Sequence, residues 1–202
     1  AANAAETTVD TAATVTFKAS KEKQLTSAQL SAYKIADYVN YGTAKTPVYG
    51  VKTAAGANRT KLAAALTAAG FQNVPIDGTT DLMAWAMNQK TTTDTDGTVT
   101  QVQFDQSETR PWNNPSVTRK FADALQAGNP FTATADPFVL NKATGNDTDG
   151  WTATNKTALT AGVYLFLDGN ASTDTLTQAV PMIVSTGSVD AEGVLSLGDS
   201  TA

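Results

Sequence analysis

The sequence predicts a mainly β protein, a β-sandwich whose long inter-strand connections carry short helices. Three observations point there. The 202 residues include 34 Thr and 34 Ala, while only 16% are charged and 7% aromatic. Thr favours strands and leaves their outer faces hydroxyl-covered, so this composition fits many half-exposed strands. Alternating apolar and polar residues recur near both ends of the chain, and a helical period replaces them only in the middle. Strands, a helical middle and strands again do not make repeating βα units, so a doubly wound sheet is not expected.

The elements follow in chain order. Residues 1–12 read as a flexible leader, and 13–202 as a single domain with a helical insertion at about 58–129. In ATVTFKAS (13–20), Val15 and Phe17 alternate with Thr14, Thr16 and Lys18, the pattern of a half-buried strand. QLSAYKIADYV (29–39) is a longer strand, apolar on both faces, and TPVYGVKT (46–53) is its expected partner. NRTKLAAALTAAG (58–70) reads as a helix with Asn58 or Thr60 as cap and Gly70 as stop. TTDLMAWAMNQ (79–89) reads as a second helix, with Thr80 as cap and Asp81 at its positive end. SVTRKFADALQAGN (116–129) is a third, capped by Ser116 and ended by Gly128. Strands return at 97–104, 150–154, 161–168, 178–185 and 193–197.

Composition excludes several functions. The formal net charge is −5, which argues against nucleic acid and anionic membrane surfaces as partners. The chain has no Cys and no His, which removes disulfides, thiolate nucleophiles, Ser-His-Asp triads and the usual zinc sites. No cofactor is expected. No apolar run approaches membrane-spanning length. The opening AANAAETTVD fits the mature side of a signal cleavage, and the closing GVLSLGDSTA reads as a domain cut from a longer chain. Few Lys, many Thr and low charge favour an extracellular location.

Few motifs carry chemistry. The tetrapeptide DTDG occurs twice, at Asp94–Gly97 and at Asp147–Gly150. Its carboxylates (Asp94, Asp96, Asp147, Asp149) are weak calcium candidates, because oxygen ligands clustered before a Gly suit that ion. The acid that an EF-hand loop needs six residues later is Gln103 in one copy and Lys156 in the other, so a turn is the simpler reading. Glycosylation sequons begin at Asn58, Asn146, Asn155 and Asn170, as chance allows in so Thr-rich a chain. Paired carboxylates for glycoside hydrolysis could come from Asp105 and Glu108, or from Asp136 and Asp168, but nothing places either pair in one cleft. Trp85 falls in a helix pattern, while Trp112 and Trp151 sit in loops and are, with Asp147, the candidates for ligand contact.

Several segments together resemble a known family: LSAYKIADYV (30–39), KLAAALTAAG, DLMAWAMNQ, SVTRKFADALQ, and LTAGVYLFLDGN followed by QAVPMIVSTG. Over roughly residues 13–198 they are similar to the N-terminal domain of sortase-assembled pilins and related surface adhesins of Gram-positive bacteria. The Ala- and Thr-rich wording resembles that of actinobacterial proteins, bifidobacterial ones among them. The resemblance implies an Ig-like fold of the collagen-adhesin type and a non-enzymatic structural or adhesive role in a cell-wall-anchored pilus. Neighbouring pilin subunits would be its partners. A host glycan- or matrix-binding module of a tip adhesin is the alternative, and a carboxylate-dependent glycosidase a more distant one. The Tyr-Pro-Lys motif of many shaft subunits is not present.

The resemblance also implies a self-made Lys–Asn isopeptide bond. A buried Lys loses its proton and attacks the amide, while a neighbouring buried acid polarises it. Lys34 is the better nucleophile candidate, because it shares a face with Leu30, Ala32 and Ala36. Lys18 falls with Thr14 and Thr16 on the outer face. Asp37, Asp105 and Glu108 are the candidate acids. No Asn follows Asn170, so Asn170, Asn141 and, for a Lys–Asp variant, Asp168 are the candidate partners.

Overall fold

The computed structural model describes residues 6–104, 116–169, 181–189, 194–197 and 200–201. Strand β1 (Thr7–Thr8), β2 (Ala12–Ala13) and β3 (Val15–Ala19) lead into a short helix α1 (Glu22–Thr26), then into the longest strand, β4 (Leu30–Asn40), and β5 (Tyr49–Thr53). Helices α2 (Arg59–Ala68) and α3 (Leu82–Met87) follow, then a hairpin of β6 (Thr92–Thr93) and β7 (Val99–Gln101), and α4 (Val117–Ala127). The chain continues through β8 (Ala133–Phe138), β9 (Thr144–Asn146), β10 (Gly150–Thr154), β11 (Leu159–Thr160), β12 (Gly162–Asp168) and β13 (Met182–Ser185). It closes with β14 (Gly187–Val189), β15 (Leu195–Leu197) and β16 (Ser200–Thr201). The protein is mainly β with several antiparallel sheets, as its composition predicts.

Two compact units emerge: Ala1–Val51 with Ala133–Ala202, and Lys52–Thr132. In the first unit, one sheet runs β1-β4-β12-β13, with β5 and β8 also pairing β4, and a second runs β16-β3-β10-β9. Both contribute to a single apolar core, with Val15, Phe17 and Ala153 from one sheet and Leu30, Ala32, Phe138, Tyr164 and Phe166 from the other. Phe17 meets the Phe166 ring edge-on at 5.0 Å, and Phe138 lies 5.0 Å from Phe166. Such tilted aromatic contacts add to the gain from burying the rings. The segment 133–146 joins the two sheets: β8 pairs β4, Leu140 bridges Asn155, and β9 pairs β10.

The second unit packs three helices and the β6–β7 hairpin. Leu62, Leu66, Leu82, Met83, Phe121 and Leu125 are buried there. Phe71 and Phe104 meet at 4.9 Å, and Phe104 and Phe121 at 5.3 Å. Asn58 and Ser116 cap α2 and α4, accepting from Lys61 N and Arg119 N, as their sequence positions predict.

Other expectations need correction. Part of the supposed leader is structured: Thr7 and Thr8 pair with Asn40 and Val39, and Ala12 and Ala13 with Thr160 and Leu159. Thr80 does not cap α3. Its hydroxyl donates to Asp77 at 2.6 Å, and Asp81 takes the cap position, accepting from Ala84 N at 3.0 Å. The strand expected over 97–104 is ordered as β7 only at 99–101, opposite β6. Strand β8 escapes the sequence reading because Pro137 interrupts its pattern, and Pro donates nothing to a ladder.

Candidate functional site

Strands β4 and β12 pair from Gly162↔Asp37 to Asp168↔Leu30, with one irregularity between Val163 and Tyr164. Tyr164 is opposite Lys34 but Val163 is opposite Ala36, so Ile35 is an extra residue in β4. Such a bulge shifts the inward–outward alternation by one place. Before it, Leu30, Ala32 and Lys34 share the face of Phe166 and Tyr164. After it, Asp37 joins that face, opposite Gly162, and Ala36 passes to the other. The expectation that Ala36 lies beside Lys34 is therefore corrected: its neighbour is Asp37.

Lys34 and Asp37 form an ion pair with Nζ and Oδ1 2.5 Å apart, both side chains mostly buried at 15% and 22% exposure. The Lys34 ammonium also donates to Thr160 Oγ1 at 2.7 Å and lies 5.7 Å from the centre of the Tyr164 ring. Its backbone N–H, close to the bulge, donates to Thr134 Oγ1 at 2.8 Å. Gly162 makes room for the stem, since a Cβ there would stand 2.5 Å from Lys34 Cε and 2.6 Å from the Ala36 carbonyl oxygen. The Thr186 hydroxyl is next in line, 2.8 Å from Gly162 N, and Tyr164 donates to Thr160 O at 2.6 Å. The ammonium is thus held by a carboxylate and a hydroxyl at the rim of an apolar core. A charge held this way anchors strands, because a paired and hydrogen-bonded ion tolerates burial that a lone one would not.

The other cross-link candidates among the described residues are dispersed. Lys18 is exposed, as the alternation predicts, opposite Thr152. Asn141 is exposed, and its amide nitrogen donates to Thr154 Oγ1 at 2.9 Å and Asn155 O at 3.3 Å rather than meeting Lys34. Asp168 is buried at the far end of β12, where it accepts from Gln29 N at 3.2 Å. Asp105, Glu108, Asn170 and Trp112 lie outside the described residues. So the structure brings Lys34 and Asp37 together but sets neither Asn141 nor Asp168 against that lysine.

Comparison with protein-family models, with curated proteins and with solved structures finds no match for this chain.

The remaining candidates serve local structure. Trp151 is half-buried against the core, and its indole N–H donates to Asp147 at 2.9 Å. Asp147 also meets Lys21 at 3.2 Å. The indole N–H first, and then Lys21, hold this carboxyl below its usual range. In the first DTDG, Asp94 Oδ1 accepts from Asp96 N and Thr98 N at 2.9 and 3.0 Å, and Gly97 takes φ +81°. In the second, Asn146 accepts from the backbone of Thr148 and Asp149, and Gly150 takes φ +94°. Both copies are turns, as the simpler reading had them. Among the described residues no three acids converge as metal ligands. Asp136 is exposed beside a groove of about 560 Å³ floored by Leu25, Leu30 and Phe138, and Asp168 does not line it.

Two residues hold structural roles that their sequence positions do not announce. Asp81 accepts from Thr53 N at 2.9 Å and Thr53 Oγ1 at 2.7 Å while capping α3, and Thr53 Oγ1 accepts from Met83 N at 3.0 Å. The sequence offered an Asp next to Thr80 but no sign of this partner 28 residues away. Asn155, noted only as a sequon, has both ends of its amide engaged: Oδ1 accepts from Val15 N at 2.8 Å, and Nδ2 donates to Ala13 O and Thr157 O at 3.3 and 2.9 Å. An amide so committed is no glycan acceptor without local unfolding.

Proposed function

We propose that the protein is a non-enzymatic structural or adhesive domain of an extracellular, cell-wall-anchored pilus of a Gram-positive bacterium, with an Ig-like fold of the collagen-adhesin type. One observation carries this reading. Two of the segments that carry the family resemblance, LSAYKIADYV and AGVYLFLD, are β4 and β12, adjacent strands paired from Leu30 to Asp37 at the centre of one sheet. Words far apart in sequence thus form one piece of framework. A supporting point is that, among the described residues, several chemically able side chains are engaged within the fold: Lys34 on Asp37 and Thr160, Asp81 on Thr53, Asp147 on Trp151. Chemistry is argued from sites and not from folds, and groups committed to neighbours suit a scaffold better than a catalyst. Neighbouring pilin subunits are the partners in this reading. A host glycan or matrix protein would be a ligand only if the subunit stands at a tip, and Trp151, with its N–H bonded and its ring half-buried, offers little platform for it.

The experiment is immunogold labelling of intact cells that make the protein, with an antibody raised against this chain. Gold on extracellular filaments is the expected result. Label found only inside permeabilised cells would overturn the reading.

A further inference from the structure

In the first unit, one run of chain changes its pairing partner part-way along. Residues 12–19 run as β2 and β3, changing partner at Thr14, from β11 to β10. At that change Asn155 takes over. Its backbone N–H donates to Val15 O at 3.3 Å, and its side-chain Oδ1 accepts from Val15 N at 2.8 Å. Its Nδ2 reaches back past Thr14 to Ala13 O at 3.3 Å. One carboxamide therefore stands in for the missing ladder on both sides of the break, and buried backbone groups that would otherwise be orphaned are satisfied. On the other side of the same residues lies β16, and it runs parallel to β3, with Ser200 at Val15 and Thr201 at Thr16.

Parallel order fixes how a pull is felt. The chain enters β3 at one end of the β3–β16 pair and leaves β16 at the opposite end. Tension along the chain must then slide the two strands past each other, straining their hydrogen bonds together. Strands that enter and leave at the same end instead peel apart one bond at a time. Strand β13 does not offer the sliding geometry towards its own neighbour, since it is antiparallel to β12.

We propose that β3, β16 and Asn155 form a tension clamp, with Asn155 as the pin that keeps Val15 in register under load. Such a clamp depends on strand order and hydrogen bonds, and not on where the protein resides in the cell.

The chain has no Cys, so each introduced Cys is a unique handle for single-molecule pulling. Handles at Ala1→Cys and Ala202→Cys load the clamp. Moving the second handle to Val194→Cys, an exposed position ahead of β15, leaves β16 unloaded. The end-to-end geometry should need at least about twofold more force, because forced unfolding reports the barrier along the loaded direction. Equal or lower force end to end would overturn the clamp. Asn155→Ala should lower the end-to-end force while changing little between Lys45→Cys and Lys142→Cys, an axis whose handles lie outside β3 and β16. An equal drop on both axes would mean general destabilisation and would remove Asn155 as a pin. Should Asn155→Ala not fold, the handle comparison in the otherwise native chain still decides the clamp.

Discussion

Gly162 sits where no side chain has room. A methyl group there would meet the Lys34 stem, which can move, and the Ala36 carbonyl, which cannot. Gly162→Ala should therefore cost about 2 kcal/mol, in the range of overpacked core substitutions, read as a lower urea midpoint with unchanged m-value. Lys34 and Asp37 behave as a unit. Lys34→Met alone leaves a mostly buried carboxylate unpaired and should cost on the order of 2 kcal/mol, between the surface and fully buried limits. Adding Asp37→Asn should recover a good part of the loss in the same urea titration. A double variant no more stable than Lys34→Met would mean that the ion pair itself contributes little. The lysine's position was legible from the alternation of β4, but its partner was not. Asp37 should have faced away from Lys34 by strict alternation, and only the extra residue Ile35 turns it inward.

The elements divide by how local their causes are. Helices α2 and α4 begin at the Asn and Ser that their sequences offer, because a cap is decided within one turn. Helix α3 differs because two acids and a threonine compete at its start. Asp77 collects the Thr79 and Thr80 backbone N–H groups and both hydroxyls, which leaves the helix to Asp81. Asp81→Ala should cost about 2 kcal/mol, because it removes a cap and also strips Thr53 of its acceptor. Thr80→Ala should cost far less. Urea unfolding of the two variants checks this, and the reverse order would restore Thr80 as the cap. The same competition holds Asp77 well below the ordinary carboxylate range, chiefly through the Thr80 hydroxyl. Strand β8 fails the sequence reading for a different reason. Its ladder with β4 is irregular, and Pro137 and Asp136 break its alternation, so its pairing depends on a strand 100 residues earlier in the chain.

At the scale of the whole molecule, stability should depend on alkaline pH through Tyr38. Burial raises its pKa above the usual 10.0, more than its hydrogen bonds to Ser185 and Gly187 lower it. The folded chain then holds this proton more tightly than the unfolded chain. The contribution is present below the ordinary tyrosine pKa and is lost as pH rises through the folded value. Urea midpoints measured from about pH 9 to about pH 11 should fall, and Tyr38→Phe should flatten that fall. An identical slope in the variant would assign the effect elsewhere. The intact mass of the denatured protein is the second test. With Lys34 committed to Asp37 and Thr160, the expected mass is the full sum of the residues. A mass short by one ammonia would mean a Lys–Asn cross-link, and one short by water a Lys–Asp cross-link.

The sequence by itself determined the β-rich class, the three main helices, two of their three caps, the two DTDG turns and the inward face of Lys34. Each is written in residues within a few positions of one another, where period and capping chemistry act. The tertiary structure alone decided that Asp37 is the partner of Lys34, that Asp81 and Thr53 are linked, that Asn155 bridges a strand break, and that β16 runs parallel to β3. Those facts join residues from 28 to 185 positions apart, or turn on a single bulge in pairing register. No local pattern encodes them, because the hydrogen-bonding partner exists only once the strands are brought together.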